Sequence, residues 1–547
     1  MPKAQQIRVA LPPVADLATI EQVVSTPTRV LAWRTSQEPS RQLGRATALV
    51  LGGIVLIGLL QLTQPFFQDQ AFFTIGAEAM NRGRVLYRDF WDIKQPGIFV
   101  FYLVAGKLFG FHEIGIHLFE LLYMTAFSVV LIRTCRHYYK IPVLSVVAPL
   151  LTVGVYYAVA GISQTGQVES LVGFPLFLCL WFAYRATRDH ESGTRNFFWC
   201  GFMGGMVLLL KLMFLPIVLC FALSALMHVR RKSSPAVLAF PVRHAGAFVA
   251  GVLLPLLAMT VYFALTGTLG MAFYTFLVYP LRAITNLPSA GASRLNDGMQ
   301  WFLYHFGPEL SLAFIGAWWS WKRSKDFLSV NLVLWLGAGA VVVLLQCLSW
   351  WRYHYMLFFV PLGLLATKGI DEICQLFKSV PISTWRATRI SSILAMVLLF
   401  SPMLSSLGLK TLALAHHGFA LTKERRLEYQ ARFPEGQYQN ALAEVSFLSR
   451  PESLAGDIYV VGHPLYYFLS GRQPAIAMNG SGIEIFLPEQ WRSLSSQLRK
   501  ARPAYIFISA LDRNLFQAGT PESVDFIAQN YRVLRTDDTG TWYVRLP

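Results

Sequence analysis

The densest group of charges in this otherwise apolar chain runs from residue 69 to residue 94. It comprises Asp69-Gln70, Glu78, Arg82, Arg84, Arg88, Asp89, Asp92 and Lys94, and it ends in Lys94-Gln95-Pro96-Gly97. A charge run of this kind is usually a solvated face. Two features point further. Asp69 follows an apolar run within a few residues, behind Pro65-Phe66-Phe67, and Lys94 stands just before an aromatic, apolar stretch. Acids and bases held at a bilayer surface can meet a lipid headgroup on one side and a polar substrate on the other. A carboxylate half-buried near lipid has its pKa raised by desolvation, which suits a general base, and Asp69 fits that position. Asp89 and Asp92 can instead pair with Arg84 or Arg88 and stiffen the loop, and at least one of them is expected to do so. A second group is Trp350-Trp351-Arg352-Tyr353-His354-Tyr355. Arg352 offers a bidentate grip on an anion and Lys94 a point charge, while His354 and Tyr355 add donors. The bland readings are a snorkelling lysine for Lys94 in the first group and an interfacial aromatic anchor for Arg352 and His354 in the second. Lys211, flanked by apolar residues, is either a functional charge or the outer tip of a hairpin.

The elements that must position these residues are membrane spans. Of 547 residues, 54% are hydrophobic and 14% charged, against about a quarter charged in soluble domains. The net charge of +17 resides mostly in short connectors between apolar runs, which is how a membrane protein sets its orientation and not how a nucleic-acid surface is built. Apolar runs at 46–64, 114–132, 142–160, 169–186, 197–211, 213–228, 244–266, 301–321, 328–349, 353–369 and 389–408 give roughly eleven spans of about 20 residues or fewer. The short pair from 197 to 228 reads as a tight hairpin or as one bent segment. The first run lacks a small-residue cleavage site and reads as a retained span behind a cytoplasmic arm, 1–45. Basic connectors then fall on one side, which places 65–113, 267–300 and everything after about 409 outside. Within the first outer segment, 71–82 is helix-compatible and 98–109 reads as an interfacial helix. After a linker at 409–436, the tail 437–547 shows strand signals at 457–461 and 505–509, with helical signals at 464–469, 488–500 and 521–530. This argues a small α/β domain. The expected fold class is therefore a polytopic α-helical membrane protein with a C-terminal extracytoplasmic α/β domain. The six cysteines lie in or beside apolar segments with no CxxC or Cys/His spacing, which excludes a disulfide framework and a cysteine metal site.

Asp69 after the first span, followed by Gly83-Arg84-Val85-Leu86-Tyr87-Arg88-Asp89-Phe90-Trp91-Asp92-Ile93-Lys94-Gln95-Pro96-Gly97, resembles the first outer loop of the GT-C-fold glycosyltransferases. The branch is that of the protein O-mannosyltransferases and the lipid A aminoarabinose transferases. Trp351-Arg352-Tyr353-His354-Tyr355 with Pro361 is similar to that family's Arg/His–Tyr cluster at the outer start of a late span. The resemblance implies a GT-C-like domain over 46–408 and a polyprenyl-phosphate-linked sugar as donor. It also implies an acceptor outside the cytoplasm, most simply at a bacterial inner membrane. It assigns the base to Asp69 and the donor phosphate to Lys94, Arg352, His354 and Tyr355, with Asp89, Asp92, Lys211 and Glu169 in support. Gln164, Gln167 and Glu169 at the start of the fourth span can contact a sugar hydroxyl or cap the helix. The loop 267–300 can close as a lid or serve as a plain connector. Many relatives carry Asp-Glu where this chain has Asp69-Gln70, and Lys-Pro-Pro where it has Lys94-Gln95-Pro96. The missing second acid removes the support for a divalent metal. Two other classes stand beside this reading: a transporter of a lipid-linked saccharide, which would place charges deep in several spans, and a non-catalytic subunit of an envelope-assembly complex.

Overall fold

The computed structural model describes residues 37–189, 192–232, 239–323, 325–377, 400–433 and 438–547. The arm 1–36, the greater part of the expected span 389–408 and residues 434–437 lie outside them. The apolar runs fold as helices: α1 (Gln37–Leu59), α2 (Gln68–Asn81), α3 (Pro96–Phe109), α4 (Glu113–Thr134), α5 (Leu144–Val159, with a π turn at Leu150–Gly154) and α6 (Val168–Arg188). They continue with α7 (Gly193–Leu210), α8 (Leu215–Lys232), α9 (Ala239–Leu265), α10 (Leu269–Phe273) and α11 (Tyr279–Asn286). A π turn at Tyr274–Val278 joins the last two. Then come α12 (Ala292–Arg323), α13 (Phe327–Leu345) and α14 (Phe359–Phe377), the last entered through a 3-10 turn, Arg352–Phe358. Five helices among the described residues, within α4, α6, α8, α9 and α13, are long and apolar enough to cross a membrane, and shorter apolar helices lie in α1, α3 and α5.

In lipid, helices gain little from apolar burial against one another and instead approach closely over small residues. A Cβ on Gly201 of α7 would sit 2.0 Å from the Phe248 carbonyl oxygen of α9, and one on Gly251 of α9 would sit 2.1 Å from that of Phe198. The α12/α14 crossing repeats the device with Gly316 and Gly369. The segment 197–228 is two helices, broken where Lys211 takes an extended backbone (φ −162°). Helix α3 buries Ile98, Phe99 and Tyr102 and exposes Val100, Val104 and Leu108, so its apolar character is shared between the protein and its surroundings.

The stretch expected as a linker is largely helical: α15 (Ser401–His416) runs past residue 409 and α16 (Lys423–Ala431) follows. Lys410 ties α15 to the end of α5. Its ammonium donates to the carbonyls of Tyr157, Ala158 and Ala160 at the end of α5, satisfying groups that every helix C-terminus leaves open. The tail forms α17 (Tyr438–Val445), β1 (Ile458–Val461), α18 (Leu465–Ser470), α19 (Pro488–Ala501), β2 (Tyr505–Ser509), α20 (Arg513–Gly519), α21 (Pro521–Asn530), β3 (Tyr531–Thr536) and β4 (Gly540–Arg545). The sheet order is β1-β2-β4-β3, with β1 and β2 parallel and the other pairs antiparallel. Strands β1 and β2, almost wholly buried, match the two apolar runs read from sequence. The β3–β4 hairpin was not among the expected strands, because β3 buries only Tyr531 and shows no apolar alternation.

Candidate active site

Asp69 lies in the first turn of α2, where unpaired backbone N–H groups favour a negative charge. Phe67 caps this helix in an extended conformation, which turns the Pro65-Phe66-Phe67 segment into it. Lys94 precedes Pro96, the first residue of α3, where the missing N–H costs nothing. Its backbone is held by the Tyr87 hydroxyl, which donates to the Lys94 carbonyl at 2.7 Å. To reach it Tyr87 adopts a left-handed backbone (φ 69°), an unfavourable conformation for a bulky residue. The Lys94 ammonium then stands 3.4 Å from Asp69 Oδ2. It lies over the rings of Phe73 and Tyr353. Burial alone would lower the Lys94 pKa, but the carboxylates of Asp69, Asp92 and Glu169 outweigh it and hold the ammonium above its usual range.

The second cation is Lys211, at the break between α7 and α8. Its ammonium lies 2.5 Å from Glu169 Oε1 and also donates to Gln346 Oε1. His354 Nε2 approaches the same Glu169 oxygen at 3.9 Å. Glu169 is 1% exposed, so this pair is buried charge matched by buried charge. Lys211 therefore belongs to the same polar cluster as Lys94 and is not an isolated charge within the spans.

The two aspartates of the loop divide. Asp89 takes two hydrogen bonds from Arg88, at 2.9 and 2.8 Å, and one from the Val85 N–H. It is the stiffener. Asp92 faces the cavity, and burial raises its pKa to about 6 against the opposing pull of Lys94. The folded state therefore holds a proton between about pH 4 and 6 that the unfolded chain has lost, and stability falls as pH rises through that window. Replacing Asp92 by Asn removes this term. The melting temperature of D92N relative to the parent, measured in detergent from pH 4.5 to 8, is expected to climb up to about pH 6 and then level. A flat difference would show that Asp92 does not titrate there.

These side chains line one cavity of about 320 Å³, with Asp69, Asp92, Lys94, Lys211, Tyr353 and His354 on its walls. The expected phosphate ligands Arg352 and Tyr355 are not on it. Arg352 makes a bidentate pair with Asp297 at 2.8 Å, and the Tyr355 hydroxyl donates to the Leu295 carbonyl while its ring stacks on Phe302. Within the 3-10 turn positions 352 and 355 share one face, which turns to α12, while Trp351, Tyr353 and His354 line the cavity. Residues that sequence reasoning did not assign to the site complete it: Arg294, stacked on Trp351 at 4.6 Å, Gln346, and Ser481 and Glu484 from the tail. For the last two no sequence signal exists, because only tertiary folding brings the tail there.

The tail is fastened by the loop itself. The Trp91 N–H donates to the Ala477 carbonyl, Asn479 Nδ2 donates to the Trp91 carbonyl, and Arg84 binds Asp457 at 2.6 Å and the Pro474 carbonyl. The segment 267–300, for which a lid was one reading, is mostly helical and also tied to the tail. Tyr274 and Arg282 both reach Glu489, and the Tyr279 hydroxyl donates to the Ile485 carbonyl. Beside the polar cavity, and sharing Gln95, Leu212 and Phe276 with it, runs an apolar groove of about 370 Å³ lined by Leu208, Leu209, Met259, Phe263 and Phe273. Among the described residues no group of three or more His, Cys, Asp or Glu is placed to hold a metal ion.

Residues 94–258 match the family model of the dolichyl-phosphate-mannose-protein mannosyltransferases. Compared by sequence with curated proteins, the chain has no match. Two solved structures of ArnT from Cupriavidus metallidurans share the fold. The form bound to undecaprenyl phosphate is 12% identical, with 94% of this chain and 99% of that one covered and a TM-score of 0.57. The apo form is also 12% identical, with 91% and 97% covered and a TM-score of 0.53. The chain is thus an integral membrane protein built on the GT-C fold of ArnT, with a small sheet domain at its C-terminus.

Proposed function

We propose that the protein is an inverting membrane glycosyltransferase that moves a sugar from a polyprenyl-phosphate donor to a hydroxyl-bearing acceptor outside the cytoplasm, at a bacterial inner membrane with the N-terminus inside. The observation that carries this reading is the pairing of two adjoining spaces. A cavity with Lys94, Lys211 and Arg294 on its walls shares Gln95, Leu212 and Phe276 with a mostly apolar groove. That shape fits a phosphate joined to a long hydrocarbon chain. The ArnT structure holding undecaprenyl phosphate supports the same class of ligand.

In this reading Asp69 takes the proton of the acceptor hydroxyl as its oxygen forms a bond to the sugar's anomeric carbon. The bond from that carbon to the phosphate oxygen breaks, and the polyprenyl phosphate leaves with the electron pair. Charge grows on the phosphate, and Lys94, Lys211 and Arg294 answer it without themselves reacting. A single displacement of this kind inverts the anomeric centre. Lys94 orients the Asp69 carboxylate by its contact at 3.4 Å.

Affinity for undecaprenyl phosphate tests the reading directly. Lys94→Gln removes a charge-assisted contact, which is worth about 1.5–3 kcal/mol, so binding in detergent should weaken roughly ten- to hundredfold. Unchanged affinity, or no binding of undecaprenyl phosphate by the parent protein, would overturn it.

A further inference from the structure

The residue after the proposed base is Gln70, where many proteins with a similar loop carry a second acid. Its side chain is wholly buried, and both ends of its amide are bonded. Oε1 accepts the Phe67 N–H at 3.1 Å, closing the first turn of α2. Nε2 donates at 2.6 Å to the Thr165 carbonyl and at 2.9 Å to Thr165 Oγ1. A carboxylate can copy the first bond and can accept from the Thr165 hydroxyl, but it has no hydrogen to give to the Thr165 carbonyl and would face that oxygen with a like charge. Gln70 is therefore not a spare acid in amide form.

Thr165 belongs to a turn fixed at its next residue as well. Gly166 has a left-handed backbone (φ +65°), and a Cβ there would lie 2.5 Å from the Tyr102 hydroxyl and 3.2 Å from Gln70 Nε2. Its carbonyl accepts the Tyr102 hydroxyl at 3.1 Å, and its N–H donates to Glu120 at 3.2 Å. Three residues later stands Glu169, which holds Lys211. The helix turn bearing Asp69 and the turn leading to the Glu169–Lys211 pair are thus joined directly through one amide.

We propose that Gln70 is a positioning residue. By joining the first turn of α2 to the Thr165 turn, it sets the distance between the Asp69 carboxylate and the second cation of the cavity. Deprotonation at Asp69 and phosphate neutralisation at Lys211 must act on one substrate at once, and a misplacement of about 1 Å between such groups costs roughly 10²-fold in rate. The inference rests on the proposed glycosyl transfer, and the test separates the two.

The experiment measures release of undecaprenyl phosphate from an undecaprenyl-phosphate-linked sugar, with the isolated cell-envelope fraction as acceptor. Gln70→Glu should lower kcat by roughly 10²-fold while the donor KM stays within about twofold, because the phosphate ligands are untouched. Thr165→Val, which removes the Oγ1 acceptor and its long bond to the Gly161 carbonyl but keeps the Thr165 carbonyl, should give a smaller fall in kcat, and Thr165→Ser should match the parent. If Q70E does not fold, the ordering of the two Thr165 variants decides. A Q70E enzyme with parental kcat, or T165V indistinguishable from T165S, would refute the positioning role. A loss of donor binding in place of kcat would refute it too. Absence of turnover in the parent protein with any such donor would instead refute the glycosyl-transfer reading.

Discussion

Asp69→Asn should abolish sugar transfer while leaving the protein able to bind undecaprenyl phosphate. The amide keeps the shape of the side chain and its oxygen can still accept from Lys94, but it cannot take the acceptor's proton. A positioned general base contributes about 10²–10⁴-fold, and that factor should be lost from kcat. Binding should move the other way. Removing a negative charge 3.4 Å from the Lys94 ammonium frees that cation for the phosphate, so undecaprenyl phosphate is held equally or more tightly. The variant thus differs in sign from Lys94→Gln, which weakens binding. Transfer surviving within tenfold of the parent would remove Asp69 from the base role. Mass spectrometry of envelope glycans and glycolipids from cells carrying only D69N should show the same missing sugar as cells lacking the protein, which would identify donor and acceptor together.

The second large effect is on stability. Lys211→Met leaves the Glu169 carboxylate, 1% exposed, without its closest cation and with only a distant approach from His354. Breaking one side of a buried pair costs about 3–5 kcal/mol, because the remaining charge stays desolvated. The double variant Lys211→Met with Glu169→Gln removes both charges and should recover most of that loss. Unfolding in detergent measures the order: parent and double variant close together, K211M well below both. K211M as stable as the parent would mean that Glu169 is not held by Lys211. The double variant should remain poor in undecaprenyl phosphate binding, which separates the structural share of Lys211 from its share in the cavity.

What was legible in the sequence follows from what is local. The helices could be read from apolar runs, since in a membrane each span must satisfy its own backbone. Asp69 and Lys94 could be read as members of one outer loop, as a base and a phosphate ligand, but their contact at 3.4 Å could not be read from the sequence. Asp89 and Asp92 could not be told apart, because three residues on an irregular loop carry no fixed period. Arg352 and Tyr355 share a face of their turn at a spacing of three, but nothing in Trp-Arg-Tyr-His-Tyr announces that this face meets Asp297 and Leu295 and not the cavity. Gln70 looked like a missing acid, and only the position of Thr165, 95 residues away, shows what its amide does. Lys410 gave no sign that it closes a helix some 250 residues earlier. The β3–β4 hairpin was invisible because β3 has a single buried residue.

The bonds that fasten the tail to the loop span 373 residues for Arg84 with Asp457 and 388 for Trp91 with Asn479. A ribosome releases the loop early and its partners near the end of synthesis. Until then Arg84 and the Trp91 backbone have no lasting partners, and the wall carrying Ser481 and Glu484 does not exist. The cavity is therefore finished only when almost the whole chain has been made and placed. A ribosome stalled between about residue 420 and residue 480 leaves a membrane protein with all its described apolar helices and an open-sided, unfinished chamber.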